Sequence, residues 1–288
     1  MAHPLGDPVL LVPERDAALP GERAAFERAL TAKGVAFRVE PLGRDPRATV
    51  DRLVAGGTRF AVHLGGQASL VRWLPAAVDA DLVAGVFPGG VPNDFARTFG
   101  LETNAAAGAT LVASPRVLRV DVGLARTAGK EAYVFNHAVV GLGAAAARGL
   151  RPGGRARNLL AWYRALLGHR ATAFDVDMTF AEFHGPATQV RLSNGQYAYG
   201  GLLAAPTALP DDGAWDVQVW AGPKTLPFTA LSAMPRGEHL PSEHVTQWRQ
   251  KRAEVTATPP APVAVDDVVV GRTPVTFELL PNALRLKV

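Results

Sequence analysis

The chain has 288 residues, 48% of them hydrophobic, with 30 Lys and Arg against 26 Asp and Glu for a net charge of +4 at pH 7. That balance excludes a disordered chain, and the length suits one large or two medium domains with a substantial core. There is no cysteine, which excludes disulfides, thiolate metal sites and a cysteine nucleophile.

The opening apolar run, in MAHPLGDPVLLVPERD, is too short for a signal peptide or a membrane span, so a cytoplasmic address is expected. Pro8 to Pro13 is predicted as a buried strand and Glu22 to Lys33 as a helix closed by Gly34. Ala36 to Val39 reads as a second strand and Arg47 to Ala55 as a helix closed by Gly56-Gly57. A third strand, Phe60 to Leu64, enters Gly65-Gly66, and a helix is predicted from Ser69. A fourth strand, Leu82 to Phe87, enters Pro88-Gly89-Gly90, and Asn93-Asp94 could cap a helix running to Phe99. Apolar strands separated by helices imply a parallel sheet covered on both faces, with ligands at the carboxyl ends of its strands. Both glycine turns lie at such ends. A helix start after a Gly-Gly turn offers N–H donors and positive dipole to an anion.

From about Pro115 the period changes to two. VLRVDVGLA, AFDVDMTF, TQVRLSN, WDVQVW and AEVTATP alternate apolar and polar residues between Gly, Pro and Asp turns, as antiparallel strands do. The expected organisation is an α/β domain over 1–115, a β domain over 116–275, and a terminal segment, 276–288, that closes the second domain or crosses back to the first. Between Glu131 and Asp175 there is no acidic residue, whereas Arg148, Arg151, Arg155, Arg157, Arg164 and Arg170 all fall there. Within that window NLLAWYRALLGH sets Leu159, Trp162, Tyr163, Leu166 and Leu167 at helical spacing. The helix either faces the core with a solvated arginine side or rests on an anionic membrane surface.

Several turn-forming blocks recur in order: LGGQAS, FPGGVPNDFARTFG, NHAVVGLG, SNGQYAYGGLLAAPTALPDDGAWDV and APVAVDD. PGGVPNDFARTFGL resembles the PGGTxNDFAR-x-LG block of the diacylglycerol kinase catalytic-domain family, which includes bacterial lipid kinases and sphingosine kinases. NGQYAYGG…AP-A…DDGAWDV is similar to that family's NG-x-x-x-GGG…AP-A…DDG-x-LDV block. GEHLPSEHV followed by PVAVDD resembles the approach to its VDGE motif. The resemblance covers nearly the whole chain.

It implies an α/β nucleotide-binding domain, an antiparallel β-sandwich lipid-binding domain and a cleft between them. It also implies ATP as cofactor with Mg²⁺, and transfer of the γ-phosphoryl group to a lipid hydroxyl. By resemblance, the nucleotide turns are Gly65, Gly66, Gln67, Ala68 and Ser69, and Pro88, Gly89, Gly90 and Val91, with Asn93 and Asp94 retained. The metal-associated aspartate is Asp212, and the general-base position falls on Val268.

Four of these positions depart from the family pattern. Gln67 stands where the pattern has a carboxylate and cannot supply the anionic oxygen Mg²⁺ prefers, so Mg²⁺ binding is expected to be weak. Ala68 replaces a glycine, which makes any positive φ there costly. Val91 removes a hydroxyl, and Val268 can neither accept nor donate a proton. The usual opening Asn-Pro-x-Ser-Gly survives only as Val12-Pro13. Asp266 keeps the aspartate of VDGE and Asp267 adds a carboxylate, so these two are the candidate substitute bases. His63 and His137 read as structural.

The sequence therefore points to a lipid kinase family protein with weak or lost phosphoryl transfer. The alternatives are an active kinase using relocated carboxylates and a non-catalytic lipid- or nucleotide-binding protein. Expected partners are a lipid, ATP and peripherally an anionic membrane face, but no nucleic acid. The oligomeric state is open.

Overall fold

In the computed structural model, residues 5–14, 20–89, 93–149, 155–169, 172–223 and 225–288 are described. The chain divides into two compact units, 1–120 with 282–288, and 121–281.

The first unit alternates β1 (Val9–Pro13), α1 (Pro20–Ala32), β2 (Arg38–Leu42), α2 (Pro46–Ala55), β3 (Phe60–Gly65), α3 (Gln67–Asp79), β4 (Val83–Pro88), α4 (Asp94–Thr98) and α5 (Ala105–Ala113). Its strands run in the order β2-β1-β3-β4 and all pair in parallel. β3 and β4 are buried at every position, which is why their sequences read as continuous apolar runs rather than alternating ones. Leu10, Phe60, Val62 and Leu64 meet Phe26, Leu30, Ala109 and Val112 of the flanking helices. The chain leaves β1 toward β2 and returns to the opposite side at β3, so the topological switch lies between β1 and β3. The chain's last residues belong to this unit: Leu286 pairs with Ala84, and the buried Lys287 donates from Nζ to the Ser114 carbonyl.

The second unit is an antiparallel β-sandwich. Its elements are β5 (Leu118–Thr127), β6 (Lys130–Val134), β7 (His137–Gly141), α6 (Leu142–Ala147), α7 (Arg155–Gly168), β8 (Thr172–Met178), β9 (Glu182–Ala187) and β10 (Gln189–Ser193). They continue through β11 (Tyr197–Ala198), β12 (Leu202–Leu203), β13 (Trp215–Trp220), α8 (Leu226–Ala230), β14 (Val245–Gln250), β15 (Arg252–Thr258), β16 (Pro262–Val265), β17 (Val268–Arg272) and β18 (Val275–Leu286), whose residues from 282 on belong to the first unit. One layer runs β14-β13-β10-β7-β16-β17. Val140, Val190, Leu192 and Val217 on its inner face pack against Phe174, Val176, Val255 and Phe277 of the layer built on β8 and β15. Alternation along each strand supplies that core.

Two expectations are corrected in detail. The second strand lies at Arg38–Leu42, later than Ala36 to Val39, and the third helix starts at Gln67, not Ser69. Gly66 takes extended geometry as the N-cap, and Ala68 is helical, so no positive φ arises there. An alanine in the first turn favours helix over a glycine-type loop.

Candidate active site

The two glycine turns of the first unit sit side by side. β3 and β4 are in register to their ends, Gly65 opposite Pro88, and the Gly89 N–H donates to the Gly65 carbonyl at 3.2 Å. Gly90 and Val91 lie outside the described residues. Gln67, the first residue of α3, turns its side chain toward α4. Its Oε1 accepts from the backbone N–H of Asp94 at 2.6 Å and of Phe95 at 3.4 Å. Asn93 Oδ1 accepts from Ala96 N–H at 3.0 Å. The opening N–H groups of α4 are thus taken by two uncharged side chains of the protein itself.

Ser69 is buried beneath the first turn. Its Oγ donates to the Gly66 carbonyl at 3.1 Å and lies 3.0 Å from His63 Nε2. With the hydroxyl proton directed at Gly66, His63 must donate from Nε2, which leaves Nδ1 unprotonated. That Nδ1 has no hydrogen-bond partner among the described residues. Burial holds the His63 pKa down at about 3, so the ring is neutral and structural.

A cavity of about 570 Å³ opens at the carboxyl ends of β1 and β2, lined by Pro13, Glu14, Gly43, Arg44, Ser69 and Arg72. Its size falls within the ordinary range for small-molecule sites. Arg72 donates to the Arg44 carbonyl at 2.8 Å, so the two cations share one rim. Sequence reasoning missed both arginines, since neither belongs to a glycine motif. Their signal was position: each lies shortly after a strand end of a parallel sheet.

In the second unit the VDDV stretch forms a two-residue hairpin. Val265 pairs with Val268, and Asp266 and Asp267 occupy the turn with φ of 44° and 67°. Two successive positive φ angles define a type I′ turn, whose second position favours glycine. Asp266 is buried, and its carboxylate accepts from the N–H groups of Phe135, Asn136 and His137, each at 2.9 Å. Burial raises its pKa, and neighbouring His137 with the three N–H groups opposes that rise. Both oxygens are engaged in pinning the 135–137 backbone. Asp267 differs: its Oδ1 lies 3.4 Å from His137 Nε2, with its side chain one-quarter exposed. Val268 is more than half exposed.

Asp212 lies in the turn before Gly213, whose φ is 74°. Its Oδ1 accepts from Ala214 N–H at 3.0 Å and its Oδ2 pairs with Arg249. The neighbouring Gly213 N–H donates to Asp121 Oδ2 at 2.7 Å. Mg²⁺ needs several oxygen ligands in near-octahedral array. With Asp212 paired to a guanidinium, and no cluster of three or more His, Asp or Glu able to hold a metal among the described residues, this donor set does not fit that ion.

A second cavity, of about 770 Å³, lies under α6 and α7. Leu142, Ala146 and Ala161 form apolar wall, with Arg148, Arg164 and Arg272 at its edges. α7 buries Trp162 yet leaves Leu159, Leu160, Tyr163 and Leu167 exposed. Arg151 and Arg170 lie outside the described residues.

Residues 137–288, just over half of the chain, match the family of YegS C-terminal, NAD kinase β-sandwich-like domains. A diacylglycerol kinase of Mycobacterium tuberculosis is 27% identical over 84% of this chain and 81% of its own length. A protein of Pseudomonas savastanoi named "Probable lipid kinase YegS-like" is 28% identical over 84% of this chain and 80% of its own. A crystal structure of a diacylglycerol kinase from Bacillus anthracis superposes with a TM-score of 0.73, at 18% identity, over 98% of this chain and 96% of that one. That last likeness concerns the fold.

Proposed function

This chain belongs to the diacylglycerol kinase and YegS-like lipid kinase family, and from that premise we propose that it binds ATP and a diacylglycerol-like lipid while phosphoryl transfer between them is weak or lost. The observation that carries this reading is the Gln67 contact. A carboxamide, with no charge to offer a metal, is spent on the α4 N–H groups. Removing one carboxylate from a metal site forfeits about 4 kcal/mol for a unit pair at 4 Å in an effective dielectric of 20. Asp212, committed to Arg249, compounds that loss.

ATP fits the cavity beside Arg44 and Arg72, where the guanidinium groups would neutralise phosphate charge that Mg²⁺ carries in an ordinary kinase. The apolar cavity under α6 and α7 suits an acyl chain, and the exposed apolar side of α7 suits contact with an anionic membrane face. Phosphoryl transfer rests mainly on positioning and electrostatics, and a general base contributes about 10²–10⁴-fold. Loss of a base at Val268 therefore weakens turnover without by itself abolishing it.

A second reading, an active kinase with a relocated base, is favoured by one observation. Asp267 keeps a carboxylate oxygen with no hydrogen bond among the described residues, within ion-pair distance of His137. Asp266, the other candidate, has its oxygens occupied. Calorimetric titration with ATP, with and without Mg²⁺ at matched ionic strength, tests the proposal. ATP binding with little metal dependence is expected, and a large metal-dependent gain would favour the active kinase.

A further inference from the structure

The outer face of the β7–β10–β13 sheet should be polar and wet by simple alternation, yet it is buried. Arg191, on β10, is 0% exposed, and none of its three guanidine nitrogens has a hydrogen-bond partner among the described residues. Its neighbours on the same face are in a similar state. Gln189 Nε2, Ser193 Oγ and both ring nitrogens of His137, which pairs across the strands with Ser193, lack partners too.

Tyr199 covers this group. Its ring centroid lies 4.7 Å from Arg191 Cζ and 5.5 Å from the His137 ring, and its hydroxyl interacts with the Arg191 guanidinium without reaching good hydrogen-bond geometry. Tyr199 stands at the first position of the triple-glycine block, with φ of 58°. An aromatic residue in the left-handed region is strained, and such strain collects at ligand sites.

The imbalance has a sign. Unpartnered donors outnumber acceptors here, and the central one is a permanent cation. Of the nearby carboxylates, Asp216 accepts from Thr207, and Asp267 leaves one oxygen without a hydrogen bond, 3.4 Å from His137 Nε2; one such oxygen does not match the donors on this face. Buried water could satisfy donors but supplies no charge. Burying an ion without full compensation is strongly unfavourable.

We propose that this face is a binding site for one phosphate-class oxyanion, seated on the Arg191 guanidinium with Tyr199 Oη and Ser193 Oγ as further donors. The anion is either free phosphate or the phosphodiester of an anionic lipid headgroup. Only the second source draws on the lipid-binding reading, and no readout below measures phosphoryl transfer.

The test is calorimetry and thermal melting of the full-length protein with inorganic phosphate against chloride at matched ionic strength. A second arm uses dihexanoyl phosphatidylglycerol below its micelle concentration. Wild type should bind phosphate and melt higher in it. Arg191→Met should stay folded, since an apolar side chain of similar volume replaces a buried ion without loss, and should bind phosphate at least about tenfold more weakly. Tyr199→Phe should weaken binding several-fold, and it carries the test if Arg191→Met does not fold. Competition between the lipid and phosphate identifies a headgroup, whereas phosphate binding alone identifies the free anion. A wild-type protein indifferent to both, or equal phosphate binding by wild type, Arg191→Met and Tyr199→Phe, overturns the proposal.

Discussion

Gln67 Oε1 accepts the backbone N–H of Asp94 at 2.6 Å, joining the turn after β3 to the helix after β4. The contact replaces a charge with a neutral cap, and it should be measurable as stability. Gln67→Ala is expected to cost about 1 kcal/mol, the usual worth of a lost N-cap acceptor. Gln67→Glu should gain about 0.5 kcal/mol by placing a carboxylate at a helix start. Urea midpoints at constant m-value report both. A neutral Gln67→Ala would mean that water serves these N–H groups equally well.

His63 predicts an acid-side loss of stability. Its folded pKa, about 3, lies below the ordinary imidazole value of 6.5 that the unfolded chain should show. Between those values the unfolded chain binds a proton that the folded protein refuses. Stability contributed by the neutral ring is therefore complete above pH 6.5 and falls by about 1.4 kcal/mol per pH unit below it. From pH 7 to pH 5 the wild type should lose about 2 kcal/mol more than His63→Gln. Parallel pH profiles for the two proteins would show that His63 is protonated in place.

The hairpin at Asp266 and Asp267 separates a structural carboxylate from a dispensable one. Asp266→Ala strands three buried N–H groups and should cost about 3 kcal/mol or more, at 1–3 kcal/mol for each unsatisfied group. Asp267→Gly relieves a positive φ and should gain about 0.5–1 kcal/mol. Chemical denaturation gives both values. If Asp267→Gly destabilises instead, its contact with His137 outweighs the backbone strain.

Vesicle binding tests the exposed side of α7. Leu159→Ser with Leu167→Ser should reduce binding to anionic vesicles about tenfold or more at any salt concentration, because apolar burial is lost. Arg148→Glu with Arg164→Glu should abolish the preference for anionic over neutral vesicles. Added salt should weaken wild-type binding, since exposed charges are screened over about 10 Å at 0.1 M. Equal binding of all variants to neutral and anionic vesicles would remove α7 from the membrane contact.

Much of the fold was legible because period is a local property. The apolar runs of β3 and β4 and the alternation of WDVQVW each announced their sheet type. What escaped was contact across sequence distance. The Gln67 cap reaches residues 27 and 28 positions away, and Asp266 binds backbone about 130 positions upstream. Alternation in TQVRLSN correctly put Arg191 opposite Val190 and Leu192, but period two says only that a strand has two faces. It does not say that other chain segments bury the second one. The α7 stripe left two readings open for the converse reason: helical spacing identifies a stripe, not what covers it, and Trp162 is buried while Leu159 and Leu167 are exposed.

The most direct measurement is transfer of the γ-phosphoryl group from labelled ATP to diacylglycerol in mixed micelles, for wild type and for Gln67→Asp/Ala68→Gly/Val268→Glu. The wild type should give product near background. The triple variant should give clear phosphorylated lipid, with Val268→Glu alone giving little, because a base acts only on a positioned phosphate and the three residues work as a unit. Wild-type turnover in the ordinary kinase range of about 1–100 s⁻¹ would contradict lost catalysis, and would move the base to Asp267.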